Sequence, residues 1–215
     1  MSLAGLRRAR SSIGVRRAGA EGERNMDRLA TMGKVLNETQ RIVDNIEPSQ
    51  LDDPTPCSEW TVRDVLNHIT GGAEMFALCV RDGSVPDEKL GELMTGDNLG
   101  DDYKGAFHRA ADAANESFTI PGAMERVVKL PFGEMPAGVA LNIAIFDVTT
   151  HTWDLSTATG QSTDFDPDVL EAAWRLAPLM LTDEYRAAGM YGPVVEVADD
   201  APLQNKLAAF AGRTP

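Results

Sequence analysis

Cysteine and basic residues are scarce in this chain, and each scarcity closes off a class of function. The two cysteines, Cys57 and Cys79, are too few for a disulfide framework and form no C-x-x-C pair, so both are expected to be reduced. Lys and Arg number 20 against 33 Asp and Glu, a formal charge of −13, and such a field repels nucleic-acid phosphates and anionic membrane surfaces. No segment approaches the ~20 consecutive apolar residues of a membrane span. Neither nucleic acid nor membrane is an expected partner, and the cytoplasm is the expected compartment. Also missing are a Gly-rich phosphate loop between a strand and a helix and a G-x-S-x-G elbow, so nothing supports a nucleotide fold or a serine-type triad.

What is there is a chain of 215 residues, 43% hydrophobic, long enough for one domain with a real core. Its positive charge is crowded at one end: residues 1–24, MSLAGLRRARSSIGVRRAGAEGER, hold six Arg and two Glu. That stretch has no apolar run of signal-peptide length, and residues 1–25 are read as a disordered basic arm or a non-native leader. Residues 26–215 are read as a single domain.

The apolar spacing in that domain is mainly helical. Leu29, Met32, Val35, Leu36, Ile42, Val43 and Ile46 form one stripe of a first helix, which must end before Pro48. A second helix opens at Thr61 and Asp64, a capping-box pair with Asp in place of the usual Glu, and stops at Gly83. A third is expected over 102–118. A fourth starts near Pro136 and runs to Thr159, with Gly160 as its stop. Four helices of this length predict a mainly α fold, a four-helix bundle. DGSVPDEKLGELMTGDNLGDD, between the second and third helices, reads as a long surface loop bordering a pocket. Val127 to Leu130 predicts a brief strand. Beyond the bundle come a fifth helix from Pro167, a short exposed strand in YGPVVEVADD and a terminal helix opening at Pro202, a short strand-plus-helix extension.

One of the chain's three histidines, His151, stands four residues after Asp147. An i, i+4 pair shares a helix face with Cβ atoms about 6 Å apart, close enough for one cation to be held by both side chains. A lone His is usually a hydrogen-bonded structural residue, so a metal site needs a further ligand. His68, on the second helix, supplies it, because bundle metal sites form where side chains of facing helices project inward. Two imidazoles and a carboxylate suit zinc and leave a position for water or substrate; nickel or iron accept the same set. Asp154 and Asp64 occupy helix positions from which a carboxylate can orient a ligating imidazole. His108 reads as a polar residue of surface or core. Cys57, just ahead of a helix N-terminus, is weighed as a reactive thiol against a small buried residue.

With those residues in view, TPCSEWTVRDVLNHITGG (55–72) and HTWDLSTATGQ (151–161) resemble the metal-binding domain of mycothiol-dependent maleylpyruvate isomerases, within the DinB-like helical-bundle superfamily. The ending VADDAPLQNKLAAFAGRTP is similar to an actinobacterial branch of metal-binding proteins of uncharacterised function. The resemblance implies a DinB-like four-helix bundle, His68, Asp147 and His151 as the three ligands of a divalent metal, and mycothiol as co-substrate. Two departures from the pattern matter. The family's carboxylate ligand is Glu where this chain has Asp147, one methylene shorter, which displaces the metal. The isomerases also carry a further C-terminal domain that helps to form the thiol and substrate site, where this chain has only its short extension.

The expected activity is thus a thiol-dependent S-transfer or isomerisation on a small electrophile, with maleylpyruvate itself disfavoured as substrate. Two rivals stand beside it. A non-catalytic metal-binding or sensing bundle predicts a site closed by a fourth ligand from Asp154, Asp64 or Glu134. A structural homodimer predicts a vestigial site.

Overall fold

The computed structural model describes the backbone of residues 3–189 and 191–215 and the side chains of residues 21–189 and 191–215. The first helix, α1, spans Leu3–Asp44, and its predicted stripe of Met32, Val35, Leu36, Ile42 and Val43 is buried. For residues 1–20 the expected basic arm lies outside the described side chains. Asn25, placed in that arm by the sequence, is instead buried and donates from Nδ2 to Glu125 at 3.0 Å, so the packed part of α1 begins before Met26.

Helix α2 (Val62–Asp82) is set by the predicted capping box: Thr61 accepts from the Asp64 backbone N–H at 3.2 Å, and Asp64 accepts from that of Thr61 at 2.9 Å. Gly83 ends the helix at φ 89°, a conformation for which glycine has no steric penalty. Helix α4 (Tyr103–Thr119) is capped by Asp102, which accepts from Gly105 N–H at 3.0 Å. Helix α5 (Ala137–Ala158) follows directly from a hairpin of β1 (Val127–Leu130) and β2 (Gly133–Pro136), antiparallel, with Val127 opposite Pro136. Pro136 is therefore the cap of α5 and the end of β2 at once, one position earlier than the first-turn place expected.

Helices α1, α2, α4 and α5 close a ring around one core that includes Ile42, Leu66, Ile69, Phe107, Phe118, Leu141 and Ile145. This is the expected bundle. The segment between α2 and α4 is not the open loop expected. It carries α3 (Asp87–Thr95), buries Leu93 and Leu99, and is pinned to α2 by Asn67, which donates to Gly96 O at 2.9 Å and accepts from Asn98 N–H at 2.7 Å. Its Gly and Asp residues mask two apolar anchors six residues apart.

On the outer side of α5 lie α6 (Pro167–Met180), the short α7 (Asp183–Ala187) and α8 (Leu203–Phe210). Phe146 and Trp153 of α5 pack against Ala173 and Leu170 of α6 and Leu207 and Ala208 of α8. Covered on both sides, α5 buries the nine consecutive residues Val148 to Ser156. Its hydroxyls are satisfied by donating back one turn: Thr149 to Ile145 O, Thr152 to Val148 O and Ser156 to Thr152 O, at 2.7 to 2.8 Å. That is how a helix so rich in Thr and Ser reaches the centre of the fold.

The strand expected in YGPVVEVADD does not form; residues 191–200 are irregular backbone. A β-branched run becomes a strand only against another edge, and the two strands among the described residues pair with each other. The segment lies instead along the end of α8, where Val195 N–H donates to Ala209 O at 2.9 Å. Arg186 of α7 donates to Gly192 O and, at 2.6 Å, to Phe210 O. Among the described residues no helix is long and apolar enough to cross a membrane.

Gly212 holds this tail in place with φ 86°, and a Cβ there would lie 2.8 Å from Gly192 Cα. Gly212→Ala is expected to cost about 1–3 kcal/mol, measured as a lower midpoint in urea.

Candidate metal centre

Helices α2 and α5 lie side by side, and their facing side chains bring His68, Asp147 and His151 together. Each offers one ligand atom, and those three atoms lie within 4.8 Å of one another. Asp147 is the hinge of the group: its Oδ2 is 3.4 Å from His68 Nε2 and its Oδ1 is 3.7 Å from His151 Nε2. His151 is buried, and the other two are half-buried. Burial alone would lift the Asp147 carboxyl, but the two imidazoles and the Arg213 guanidinium hold it down at about 2. Burial alone would lower His68, and the Asp147 charge overrides it and raises that imidazole above its ordinary value of 6.5.

Behind His151 stands a second layer. His151 Nδ1 is 3.0 Å from Asp154 Oδ2, so Nδ1 carries the proton and the Nε2 lone pair is left facing Asp147 and His68. Asp154 is wholly buried. Its charge is met by Arg213, which donates from Nε to Oδ1 at 3.2 Å and from Nη2 to Oδ2 at 2.9 Å, and from Nη1 to Ala211 O at 2.8 Å. Burial opposes the ionised form of Asp154, but the hydrogen bonds from His151 and Arg213 outweigh it and keep this carboxyl below the usual carboxylate range. An imidazole fixed this way by a buried carboxylate is the arrangement that orients a metal-ligating histidine. Together with a donor set of two nitrogens and one oxygen, it fits a divalent cation.

A tight turn ahead of α2 supplies the surroundings. Thr55 bonds across it to Trp60 O at 2.9 Å, and this sets Trp60 over both rings, stacked on His151 at a centroid distance of 5.6 Å and tilted over His68 at 4.9 Å. Cys57, on the same turn, approaches His151 and Asp154 closely enough to form a second group of ligand types. That group does not suit a cation, because Arg213 already neutralises Asp154 and burial pushes the Cys57 thiol up to about 11. Of the two readings weighed for Cys57, the desolvated position favours the small buried residue, since burial outweighs the nearby guanidinium. Burial likewise pushes the half-buried Tyr191 up to about 12, helped by the Asp147 charge.

Other expected contributors lie elsewhere. Asp64 uses its carboxylate on the Thr61 backbone and hydroxyl, the latter at 2.6 Å, and is a cap, because the helix start claimed it first. Glu134 is exposed on the hairpin. His108 pairs with Asp44 at 2.7 Å. The 82–101 segment docks on the Asn67 and Gly71 side of α2 and supplies none of these groups. Sequence reasoning missed Trp60, Tyr191 and Arg213. Trp60 lay inside the quoted SEWT stretch, and a lone Arg after the small-residue run AAFAG was a signal that a buried charge was waiting for it.

A model of the mycothiol maleylpyruvate isomerase N-terminal domain matches residues 33–156. That span contains His68, Asp147, His151 and Asp154 and ends before Tyr191 and Arg213. Uncharacterised proteins from two strains of Mycobacterium tuberculosis are each 35% identical to this chain over 196 residues, covering 88% of it and 99% of the relative. Among solved structures, a crystal structure of the mycothiol-dependent maleylpyruvate isomerase superposes with a TM-score of 0.61 at 17% identity, over 77% of this chain and 72% of that one. A histidine-to-alanine mutant of the enzyme gives 0.60 at 16% over the same shares. At such identity the likeness carries the fold.

The layer behind His151 makes a direct prediction. Asp154→Asn is expected to weaken zinc binding about 10–100-fold in chelator-competition titrations. Arg213→Met leaves the buried Asp154 charge uncompensated and is expected to cost about 3–5 kcal/mol of stability in denaturant.

Proposed function

The chain belongs to the mycothiol maleylpyruvate isomerase N-terminal domain family, and from that premise we propose that it is a thiol-dependent transferase or isomerase of small electrophiles that works with a divalent cation, zinc first, held by His68, Asp147 and His151. The observation that carries this reading is the convergence of three ligand atoms from two helices within 4.8 Å, one of them on an imidazole already oriented by Asp154. The family's small-molecule thiol, mycothiol, is the co-substrate to which the reading commits.

A divalent cation bound there supplies the Lewis acidity that favours a thiolate at neutral pH. The chain's own residues do the rest. His151 is kept in one tautomer by Asp154. Trp60 stacks on the His151 ring and leans against that of His68. Burial keeps the proton on the Tyr191 hydroxyl and on the Cys57 thiol. In transfer, the thiol sulfur bonds to the electrophilic carbon of an activated double bond and the proton it gave up ends on the neighbouring carbon. In isomerisation, rotation about the former double bond is followed by breaking of the same C–S bond, and the thiol leaves as it came.

The sensing alternative would need a fourth protein ligand. Asp154 faces the far nitrogen of His151, Asp64 is a helix cap and Glu134 lies exposed on the hairpin, so none of the three candidates favours it.

Purified without a chelating tag, the protein is expected to carry about one equivalent of divalent metal per chain, read by plasma mass spectrometry, and His68→Ala/His151→Ala is expected to lose it. An empty parent that takes up neither added zinc nor nickel would sink the proposal. The pH dependence has a fixed sign. A proton on His68 Nε2 excludes the cation, so apparent affinity is level at high pH and falls about tenfold per pH unit once His68 protonates. Since Asp147 raises that imidazole, the fall is expected to begin above 6.5 in zinc titrations at stepped pH.

A further inference from the structure

Arg213 is the one Lys or Arg that is buried among the described residues. Stability alone does not call for it, since a well-packed apolar side chain often serves a buried position as well as an ion pair does. Its place is set by two glycines. Gly212 has φ 86°, and the Gly192 N, Cα and C atoms lie within 3.0 Å of where a Cβ on Gly212 would stand. The chain ahead of α8 and the chain beyond it therefore cross in contact.

Further bonds hold the crossing. Arg186 donates to Gly192 O and to Phe210 O, and Val195 N–H donates to Ala209 O at 2.9 Å. Residues 191–213 thus close on themselves as a clasp. The clasp meets α5 at two points: Tyr191 packs on the cluster around Phe146, and Arg213 reaches Asp154. The second contact leads straight to the candidate metal centre. One oxygen, Asp154 Oδ2, accepts from Arg213 Nη2 at 2.9 Å and lies 3.0 Å from His151 Nδ1. A single atom joins the clasp to the imidazole whose other nitrogen faces Asp147 and His68.

Opening the clasp would have two opposed effects on a cation held by that imidazole. Asp154 without its guanidinium would attract the cation more, but the water that enters with the opening screens this charge. His151 would also lose its fixed orientation, and the outer partners of a ligating imidazole are worth about 10–100-fold in metal affinity. Orientation is the larger effect. Linkage is reciprocal, so whatever the closed clasp adds to metal affinity the bound metal adds to closure. We propose that Arg213 is a positioning residue of the metal centre, acting through Asp154 on His151, and that residues 191–213 form a clasp which binding of the divalent cation holds shut. The inference rests on the metal centre proposed above and gives a role to a segment beyond the span 33–156 that the family model matches.

Hydrogen exchange, read by mass spectrometry on the zinc-loaded and the chelator-treated full chain, tests this apart from turnover. Zinc is expected to slow exchange of the 191–213 amides about tenfold or more, those of Val195, Gly212 and Arg213 included, which are bonded within the clasp. In Arg213→Met that zinc dependence is expected to vanish, and the zinc Kd from chelator competition to rise about tenfold or more. Arg213→Lys, which keeps a charge on Asp154 but not the paired hydrogen bonds, is expected to fall between, and it takes over if circular dichroism shows the methionine variant unfolded. Leu99→Ala loosens the α3 segment instead and is expected to keep the parent's zinc Kd. A folded Arg213→Met that binds zinc as the parent does overturns the inference, as does an Arg213→Lys indistinguishable from the parent when it stands in. A parent that holds zinc while its 191–213 amides exchange as in the metal-free protein overturns it as well and leaves the metal centre standing. A parent that takes up no metal removes the centre and the clasp's role together.

Discussion

The rest of the structure is organised around a carboxylate with no access to water. Asp154 sits at 0% exposure one turn before the end of α5, where an unpaired charge would be prohibitively costly. It is tolerated because three hydrogen bonds converge on it, one from His151 and two from Arg213. Those partners come from opposite directions in sequence and space. His151 belongs to the same helix and looks into the bundle, while Arg213 arrives from beyond α8. The buried charge therefore ties the C-terminal tail to the side of α5 that carries the candidate metal centre. Such a cluster is poor evidence of stability for its own sake, since a well-packed apolar replacement often does as well. What it provides here is orientation: a ring held in one tautomer with its free lone pair toward two other ligand-type atoms.

The same constraint explains why α5 looks as it does. A helix packed by α1 and α2 on one side and by α6 and α8 on the other has little solvent face to which polar groups can be assigned. Its hydroxyl residues return their donors to the preceding turn, and Thr39 on α1 meets Thr152 at 2.7 Å. Backbone carbonyls and one neighbouring helix thereby satisfy a polar sequence without water. Among the described side chains, Trp153 Nε1 is the one fully buried nitrogen or oxygen without a partner.

Family membership and site geometry contribute different things. Membership brings the bundle. The geometry brings the ligand-type atoms together and sets Trp60 against the two imidazole rings. A shared bundle does not transmit a substrate.

Much of this was legible in the residues. The stripe from Met32 to Ile46, the Thr61/Asp64 box, the Gly83 and Gly160 stops and the i, i+4 pair of Asp147 and His151 are local patterns whose physics acts within one or two turns, so the bundle and two residues of the candidate centre can be read from the chain alone. The exposed strand did not follow, because a β-branched run takes its conformation from an edge it must find elsewhere. Asp64 was readable as a cap and as a helper of His68, and local hydrogen bonds decided for the cap. The sequence by itself determined which helices form and which of their faces are apolar, since propensity, capping and periodicity are short-range. Only the tertiary structure decided that Arg213 neutralises Asp154, that Trp60 packs against the two imidazoles and that burial holds the proton on Cys57. Each of these depends on groups tens of residues apart meeting in a low-dielectric interior, where burial and charge pairing rather than position in the chain set the energy.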